Sequence, residues 1–380
     1  MANHQRQRSA PRLSCEGLET REMLNAAMPA LVPAAEIHTL ERSRHAPAPV
    51  LPNLQTPQLL TTVPANGDTN PYGVAFVPSQ FPPIGPLHPG DLLVSNFNNK
   101  TLQGLGTTIV QITPQGNTTT FYQGPPGIGF TNTLAVSKRG YVIAGYVPTT
   151  DGTPATVQPG GFLILGPNGQ VLGNIQNSTL LAGPWSATLV DRGKTASLFV
   201  SNVLSGTVSR YNLIFQLNGG SPVIVQSAVQ IASGFPHHTD PGAIVLGPAG
   251  SAYDAKHDVL YVVSEADNSI HIIPHAVKTK TDRGTGTVLV QDATHLHGPL
   301  GLAFAPNGNL VVANADSTNV DPNQPSELVE YTPRGQFVAQ KSIDPANGGA
   351  FTLAFGTFGG RRVLATVDDN TPGLQVYPLG

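Results

Sequence analysis

Gly73-Val74-Ala75-Phe76, Asp91-Leu92-Leu93-Val94-Ser95, Thr108-Ile109-Val110-Gln111-Ile112-Thr113 and Thr118-Thr119-Thr120-Phe121-Tyr122 follow one another within about fifty residues. Each run is rich in β-branched, aromatic and other apolar residues and is too short for a helix, so each reads as a strand. Between the last two, Pro114-Gln115-Gly116-Asn117 provides a tight hairpin with a glycine free to take positive φ. The pattern then repeats. First strands beginning with a small residue recur at Thr133-Leu134-Ala135-Val136, Ser186-Ala187-Thr188-Leu189, Ser251-Ala252-Tyr253, Gly301-Leu302-Ala303-Phe304 and Thr352-Leu353-Ala354-Phe355, at intervals of about 50 to 65 residues. A repeat of that length built from four short strands predicts an all-β, six-bladed propeller with four antiparallel strands per blade.

The remaining blades fill in around these strands. Blade two continues with Tyr141 to Gly145, Phe162 to Leu165 and Val171 to Ile175, its hairpin at Gly166-Pro167-Asn168-Gly169 matching that of blade one. Blade three takes Leu198 to Ser201, Thr207 to Tyr211 and Val229 to Ala232; blade four takes Val259 to Ser264, Ser269 to Pro274 and Thr287 to Gln291. Blade five takes Leu310 to Ala313, Glu327 to Tyr331 and Phe337 to Gln340. Blade six has Leu353 to Phe355, Val363 to Thr366 and Leu374 to Tyr377, and lacks a fourth strand. The β-rich run Leu59 to Val63 is unassigned, and a ring that mixes strands from both ends of the chain has no open sheet edge. The N-terminal strand is therefore expected to complete blade six.

Composition agrees. The 41 Gly and 35 Pro in 380 residues interrupt the chain too often for long helices, and the net charge of -3 offers no basic face for nucleic acid. No apolar run approaches the roughly 20 residues a membrane-spanning helix needs. The single Cys15 excludes an internal disulfide, a thiolate cluster and a redox pair. No Gly-x-Ser-x-Gly elbow, phosphate-cradling Gly-Lys-Ser/Thr loop or His-Glu-x-x-His helix anchors a common hydrolase or nucleotide chemistry.

Residues 1–58 differ in character, with Arg-, Ala- and Pro-rich stretches that predict a disordered extension ending in a linker, and 59–380 as the propeller. Within the extension, Arg12-Leu13-Ser14-Cys15-Glu16-Gly17-Leu18-Glu19-Thr20-Arg21-Glu22-Met23-Leu24-Asn25-Ala26 resembles the LEPR-XLL segment of exported proteins of planctomycete-type bacteria. Gly17 and Thr20 depart from that pattern, and the basic start, His4 to Arg12, is not followed by the apolar core of roughly 7 to 15 residues that a signal peptide carries. The resemblance implies an extracellular or cell-surface protein. The bland reading of the same residues is a short amphipathic helix.

Leu92-Leu93-Val94-Ser95-Asn96, Leu198-Phe199-Val200-Ser201-Asn202, Leu260-Tyr261-Val262-Val263-Ser264-Glu265 and Leu310-Val311-Val312-Ala313-Asn314 resemble the core of NHL repeats and, more loosely, the gluconolactonase-like propellers. What that resemblance implies is a divalent cation at the channel mouth, with Asn96, Asn202, Glu265, Asn314 and Asp368 as an oxygen ring suited to Ca²⁺. Against this stands the ordinary role of Asx side chains in capping the turn after a strand. His238, Asp240, His295 and His297, on loops entering blades four and five, form a second candidate set, suited to Zn²⁺; it resembles the peptidylglycine lyase propeller, also NHL-like, where histidines hold zinc. The alternative is two polar inter-blade loops. The loop Asp316 to Glu327 is oxygen-rich but lacks the glycine and ligand alternation of an EF-hand, and reads better as solvated turns. The expectation is an exported monomer binding a protein or carbohydrate partner through its loop face, without nucleic acid; the rival is a metal-dependent lactonase or lyase with its site at the channel mouth.

Overall fold

A computed structural model describes residues 47–216 and 223–380. The LEPR-XLL-like segment lies outside the described residues. Six four-stranded antiparallel sheets are arranged as the blades of a propeller. Blade one comprises Thr69–Phe76, Leu92–Asn98, Thr108–Ile112 and Thr118–Gln123, and the next four blades repeat its innermost-to-outermost order. The sixth sheet runs Leu353–Phe358, Arg361–Asp368, Gly373–Pro378 and then Gln58–Thr61, which pairs antiparallel with Gly373–Pro378. The N-terminal strand closes the ring, so the last blade has no missing edge.

Each blade is packed on both faces by its neighbours. Its second strand is consequently buried along nearly its whole length, as in Leu92–Asn98 and Val142–Tyr146, and reads as an unbroken apolar run rather than an alternating one. The outermost strands, such as Thr118–Gln123, meet solvent and carry Thr and Gln. The core is divided accordingly. Phe130, Leu93 and Val142 pack between blades one and two, Tyr141, Phe162 and Tyr211 between blades two and three, and Phe199, Phe235 and Leu260 between blades three and four. Burying each such side chain contributes roughly 1.5–3 kcal/mol relative to exposing it.

The propeller extends further toward the N-terminus than the composition suggests. The described unit begins at Pro47, and Leu51, in the short 3-10 helix Leu51–Asn53, is buried against blades five and six. The buried Glu330 carboxylate accepts hydrogen bonds from the Val50 and Leu51 N–H groups at 2.7 and 3.0 Å, and from the Asn307 and Asn309 side-chain amides at 2.8 and 2.7 Å. The Pro-rich stretch from Pro47 thus belongs to the folded unit instead of to a linker, because a buried acid in blade five gathers its backbone donors.

Candidate functional site at the channel mouth

The residues that decide the site come from two positions that recur in every blade. The first lies at the entry to the innermost strand, where a residue is bulged out of the ladder: Tyr72 between the pairs Pro71↔Asn96 and Gly73↔Ser95, Trp185 between Pro184↔Asn202 and Ser186↔Ser201, and Leu300 between Pro299↔Asn314 and Gly301↔Ala313. Ala249, Asn132 and Phe351 occupy the corresponding places in the other blades. These bulged side chains close the channel. Tyr72 contacts Trp185 edge-on with ring centroids 5.7 Å apart and Phe351 at 5.1 Å, and Phe97 stacks on Tyr72 at 5.0 Å. Asn132, the polar member, accepts a hydrogen bond from Thr352 Oγ1 and donates to the Leu300 carbonyl across the channel.

The second position follows the second strand. Phe97, Val147, Val203, Glu265, Ala315 and Asp369 are equivalent. Five of them donate their backbone N–H to the residue leading into the innermost strand of the same blade: Val147 to Gly129, Val203 to Gly183, Glu265 to Gly247, Ala315 to Gly298 and Asp369 to Gly349, at 2.8 to 3.0 Å. Four blades place an apolar residue here and two place a carboxylate. At the acceptor position, Gly129, Gly183 and Gly298 have left-handed φ, where glycine is unhindered. Blade one has Asn70 instead, at φ 55, a conformation asparagine tolerates better than most residues.

Asn70, Glu265 and Asp369 therefore depart from the repeat in ways the fold does not require, and all three line one cavity of about 300 Å³. Tyr72, Phe97 and Phe351 also line it, with Asn98, Gln103 and Asn370 among its polar contributors. One wall is the hairpin His238–Asp240 with Ile244–Leu246, inserted between blades three and four. Gly242 and Ala243 in its turn face the cavity, and Gln103 donates to the Pro241 carbonyl at 3.0 Å.

The electrostatics are unusual for a loop face. Burial holds the Glu265 carboxyl well above its ordinary value, reinforced by Asp240, while burial together with Asp368 pushes Asp369 up to about 7. The Tyr72 phenol is raised by burial and by Glu265, so it stays protonated. Glu265 Oε2 and Asn70 Oδ1 are buried without a hydrogen-bond partner. Both side chains are more than nine-tenths buried. The two residues that carry these unpaired oxygens line the same cavity, and a ligand seated there that reaches them would complete their bonding. Larger surface grooves, such as the one of about 490 Å³ at the other end of the blades lined by Asn53, Asn307 and Arg362, have no unpaired buried oxygen among their lining residues.

Of the oxygen ring drawn from the sequence, only Glu265 faces this cavity. Asn96 donates to the Thr62 carbonyl and Thr108 Oγ1, Asn202 to Thr207 and Ser209, and Asn314 to the His295 carbonyl and Glu327. Asp368 accepts from Thr371 and Gln375. The three amides donate from Nδ2 while their Oδ1 atoms stay buried without a partner, none of the four lines this cavity, and the residue one place beyond Asp368 is the one that does. Nor does the structure bring the four histidine-loop residues together. His238 is exposed; Asp240 accepts the Gly242 and Ala243 N–H groups at 2.6 and 3.2 Å. His295 bonds Asp292 at 2.7 Å and stacks on Phe337, while His297 lies 3.6 Å from Asp321. Each engaged side chain is turned toward a group in its own neighbourhood, and among the described residues no group of three or more His, Cys, Asp or Glu side chains is placed to hold a metal ion. In the oxygen-rich loop, Asp316 and Asp321 are spent on backbone N–H groups of Gly348, Ser326, Asn323 and Gln324.

Asn70, Tyr72 and Asp369 were not legible from motif type. The signal that finds them is positional: alignment of the six blades on the residue that opens the innermost strand, Pro in four of them, and on the residue after the second strand shows which blades break the pattern.

No protein-family model matches the chain, and no curated protein matches it. Among solved structures, the chain is similar to a gluconolactonase of Xanthomonas campestris, at 15% identity over 86% of this chain and 91% of that one, with a TM-score of 0.49. It is similar to virginiamycin B lyase of Staphylococcus aureus, at 14% identity over 85% and 88%, with a TM-score of 0.43. A chain of the nidogen–laminin complex is similar at 15% identity over 70% and 88%, with a TM-score of 0.43. These structures include enzymes and a chain of a protein–protein complex, and no residue role is carried over from any of them.

Proposed function

We propose that this propeller binds a small, oxygen-rich ligand of the carbohydrate class in the cavity at its channel mouth. The observation that carries the reading is the convergence of Asn70, Glu265 and Asp369, three departures from the blade repeat, on one cavity where two buried oxygens lack partners. The volume lies at the small end of ligand pockets, enough for a single sugar ring. Glu265, while protonated, both donates and accepts, as do the amides of Asn98, Gln103 and Asn370, and this mixed lining matches hydroxyl groups that do the same. The aromatic floor of Tyr72, Phe97 and Phe351 offers an apolar surface to the CH face of a ring. Isothermal titration with a panel of monosaccharides tests the reading. Saturable binding by the full chain that is lost on Asn70→Gly, a change that restores the residue of the other blades and so relieves the backbone, is expected. Binding unaffected by N70G, or absent across the panel, refutes it.

A second reading is favoured by one feature, the absence of any Lys, Arg or His from the cavity lining. Two carboxylates and an amide oxygen form an all-oxygen donor set of the kind hard divalent cations take. Glu265, Asp369 and Asn70 are the residues that would hold such an ion, which would polarise a substrate carbonyl as a Lewis acid and make the protein a lactonase or lyase. Metal analysis separates the two: one equivalent of Ca²⁺ retained through dialysis and lost on Glu265→Gln supports the enzyme, and none supports the binding module. The proposal extends to export, on the resemblance carried by Arg12–Ala26. A reporter fused to residues 1–46 is expected outside the cytoplasmic membrane, and a wholly cytoplasmic reporter removes that part.

A further inference from the structure

We infer that the ligand of the channel-mouth cavity carries a positively charged amine, so that among sugars it is an amino sugar with a free ammonium group. The inference rests on the carbohydrate reading above and adds the charge of the ligand. Its basis is the sign of every ionisable group around the cavity. Glu265 enters from blade four and Asp369 from blade six, and the Tyr72 phenol senses both. Asp240, on the inserted hairpin, adds to the field at Glu265, and Asp368 adds to that at Asp369. No basic side chain lines the cavity. A neutral sugar leaves Glu265 and Asp369 with a choice between remaining protonated and being ionised without a counter-charge, since burial disfavours the anion. An ammonium group removes that conflict. It donates three hydrogen bonds, and the groups able to accept them, Glu265 Oε2, Asn70 Oδ1 and the Asp369 carboxylate, belong to three residues that line the one cavity. An acidic sugar meets repulsion from each of these carboxyls that is ionised and finds no basic side chain in the lining to offset it.

The same arrangement fixes the pH dependence. As an ammonium ion enters, it stabilises the ionised carboxylates and releases their protons, so affinity for an amine rises with pH through the range in which the carboxyls ionise; affinity for a neutral sugar does not. The experiment is isothermal titration of the full chain with glucosamine, glucose, glucuronate and ethanolamine at pH 7 and pH 4.5. Glucosamine binding at least tenfold tighter than glucose at pH 7, an advantage shrinking to less than threefold at pH 4.5, with no detectable glucuronate binding, is the expected result. Glu265→Gln, which keeps the shape and removes the charge, is expected to reduce the preference for glucosamine over glucose. Equal affinity for glucosamine and glucose overturns the inference while leaving the carbohydrate reading standing. Binding of ethanolamine with no sugar bound upholds the positive charge and overturns the carbohydrate reading. Glucosamine binding that appears only with added Ca²⁺ overturns the inference, because the carboxylates would then be serving the metal.

Discussion

Glu330→Ala is expected to loosen the closure of the ring and lower the melting temperature by about 4 °C. The carboxylate is fully buried and accepts four hydrogen bonds, two from the backbone of Val50 and Leu51 and two from Asn307 and Asn309. On its removal Val50 and Asn307 lie close enough to solvent to rehydrate, whereas the Leu51 N–H and the buried Asn309 amide do not. Two stranded donors cost roughly 1–3 kcal/mol each. Relief from burying the acid offsets part of that, leaving a net loss of about 3 kcal/mol. The unfolding entropy is roughly 2.1 cal/mol/K per residue, so the folded unit from Pro47 to Gly380 loses about 0.7 kcal/mol per kelvin. Three kcal/mol therefore corresponds to about 4 °C. Glu330→Gln is the sharper variant. All four partners are donors, so an amide must turn its NH₂ toward one pair, and Gln should be nearly as damaging as Ala. Calorimetry on the three proteins, with limited proteolysis in the 47–54 region, provides the readout. A Gln variant that melts within 1 °C of wild type would mean that Glu330 merely fills space.

Truncations separate the extension from the closure: removal of residues 1–46 should leave the melting temperature unchanged, while removal of residues 1–63, which takes Leu51, Leu60 and the strand Gln58–Thr61, should cost several kcal/mol and promote aggregation through the exposed edge. Trp185→Ala, which empties the centre of the channel plug, should destabilise by about 3–5 kcal/mol and also open the cavity floor, a combined loss of stability and ligand affinity visible in melting and titration. The raised carboxyls set a pH trend. A carboxyl whose folded value lies above its unfolded value favours folding at low pH, and that contribution is lost as pH rises from the unfolded value near 4 through the folded value, here about 7 for Asp369. Asp369→Asn removes this loss, so it should melt higher than wild type at pH 8 and equally at pH 4; a variant less stable than wild type at pH 8 would contradict the burial of that charge.

Much of the architecture is a local property. Strand length, hairpins with glycine in the turn and the recurrence of a small-residue-led first strand are set within each repeat, because a blade is a small sheet that folds through near neighbours and must bury both faces. The need for Leu59 to Val63 in blade six also follows from counting strands, since an unpaired edge is costly whatever the sequence. The candidate site was legible only at Glu265. The amides and acid at Asn96, Asn202, Asn314 and Asp368 have the right chemistry for a ligand ring, but Asp368 is spent on Thr371 and Gln375, and the three amides, whose Nδ2 groups donate locally while their Oδ1 atoms stay buried and unpaired, lie outside the cavity lining, a placement that residue type does not reveal. His297 likewise has an acid close in space, Asp321, whose position along the chain gives no warning of the pairing, while His295 is held by its near neighbour Asp292. Asn70, Tyr72 and Asp369 sit about 200 to 300 residues from Glu265 or from one another in several of their pairings, and only the closing of the ring brings them to one mouth. Which side chain points into the channel is decided in four of the blades by a one-residue bulge at the head of the innermost strand, and which of six equivalent positions carries charge has meaning only once the six are seen to face each other. Repeat, strand count and closure are properties of each blade and of the number of strands, whereas the site belongs to the closed ring, because a repeat dictates each blade's own pairing and the channel mouth is assembled from blades remote in the chain.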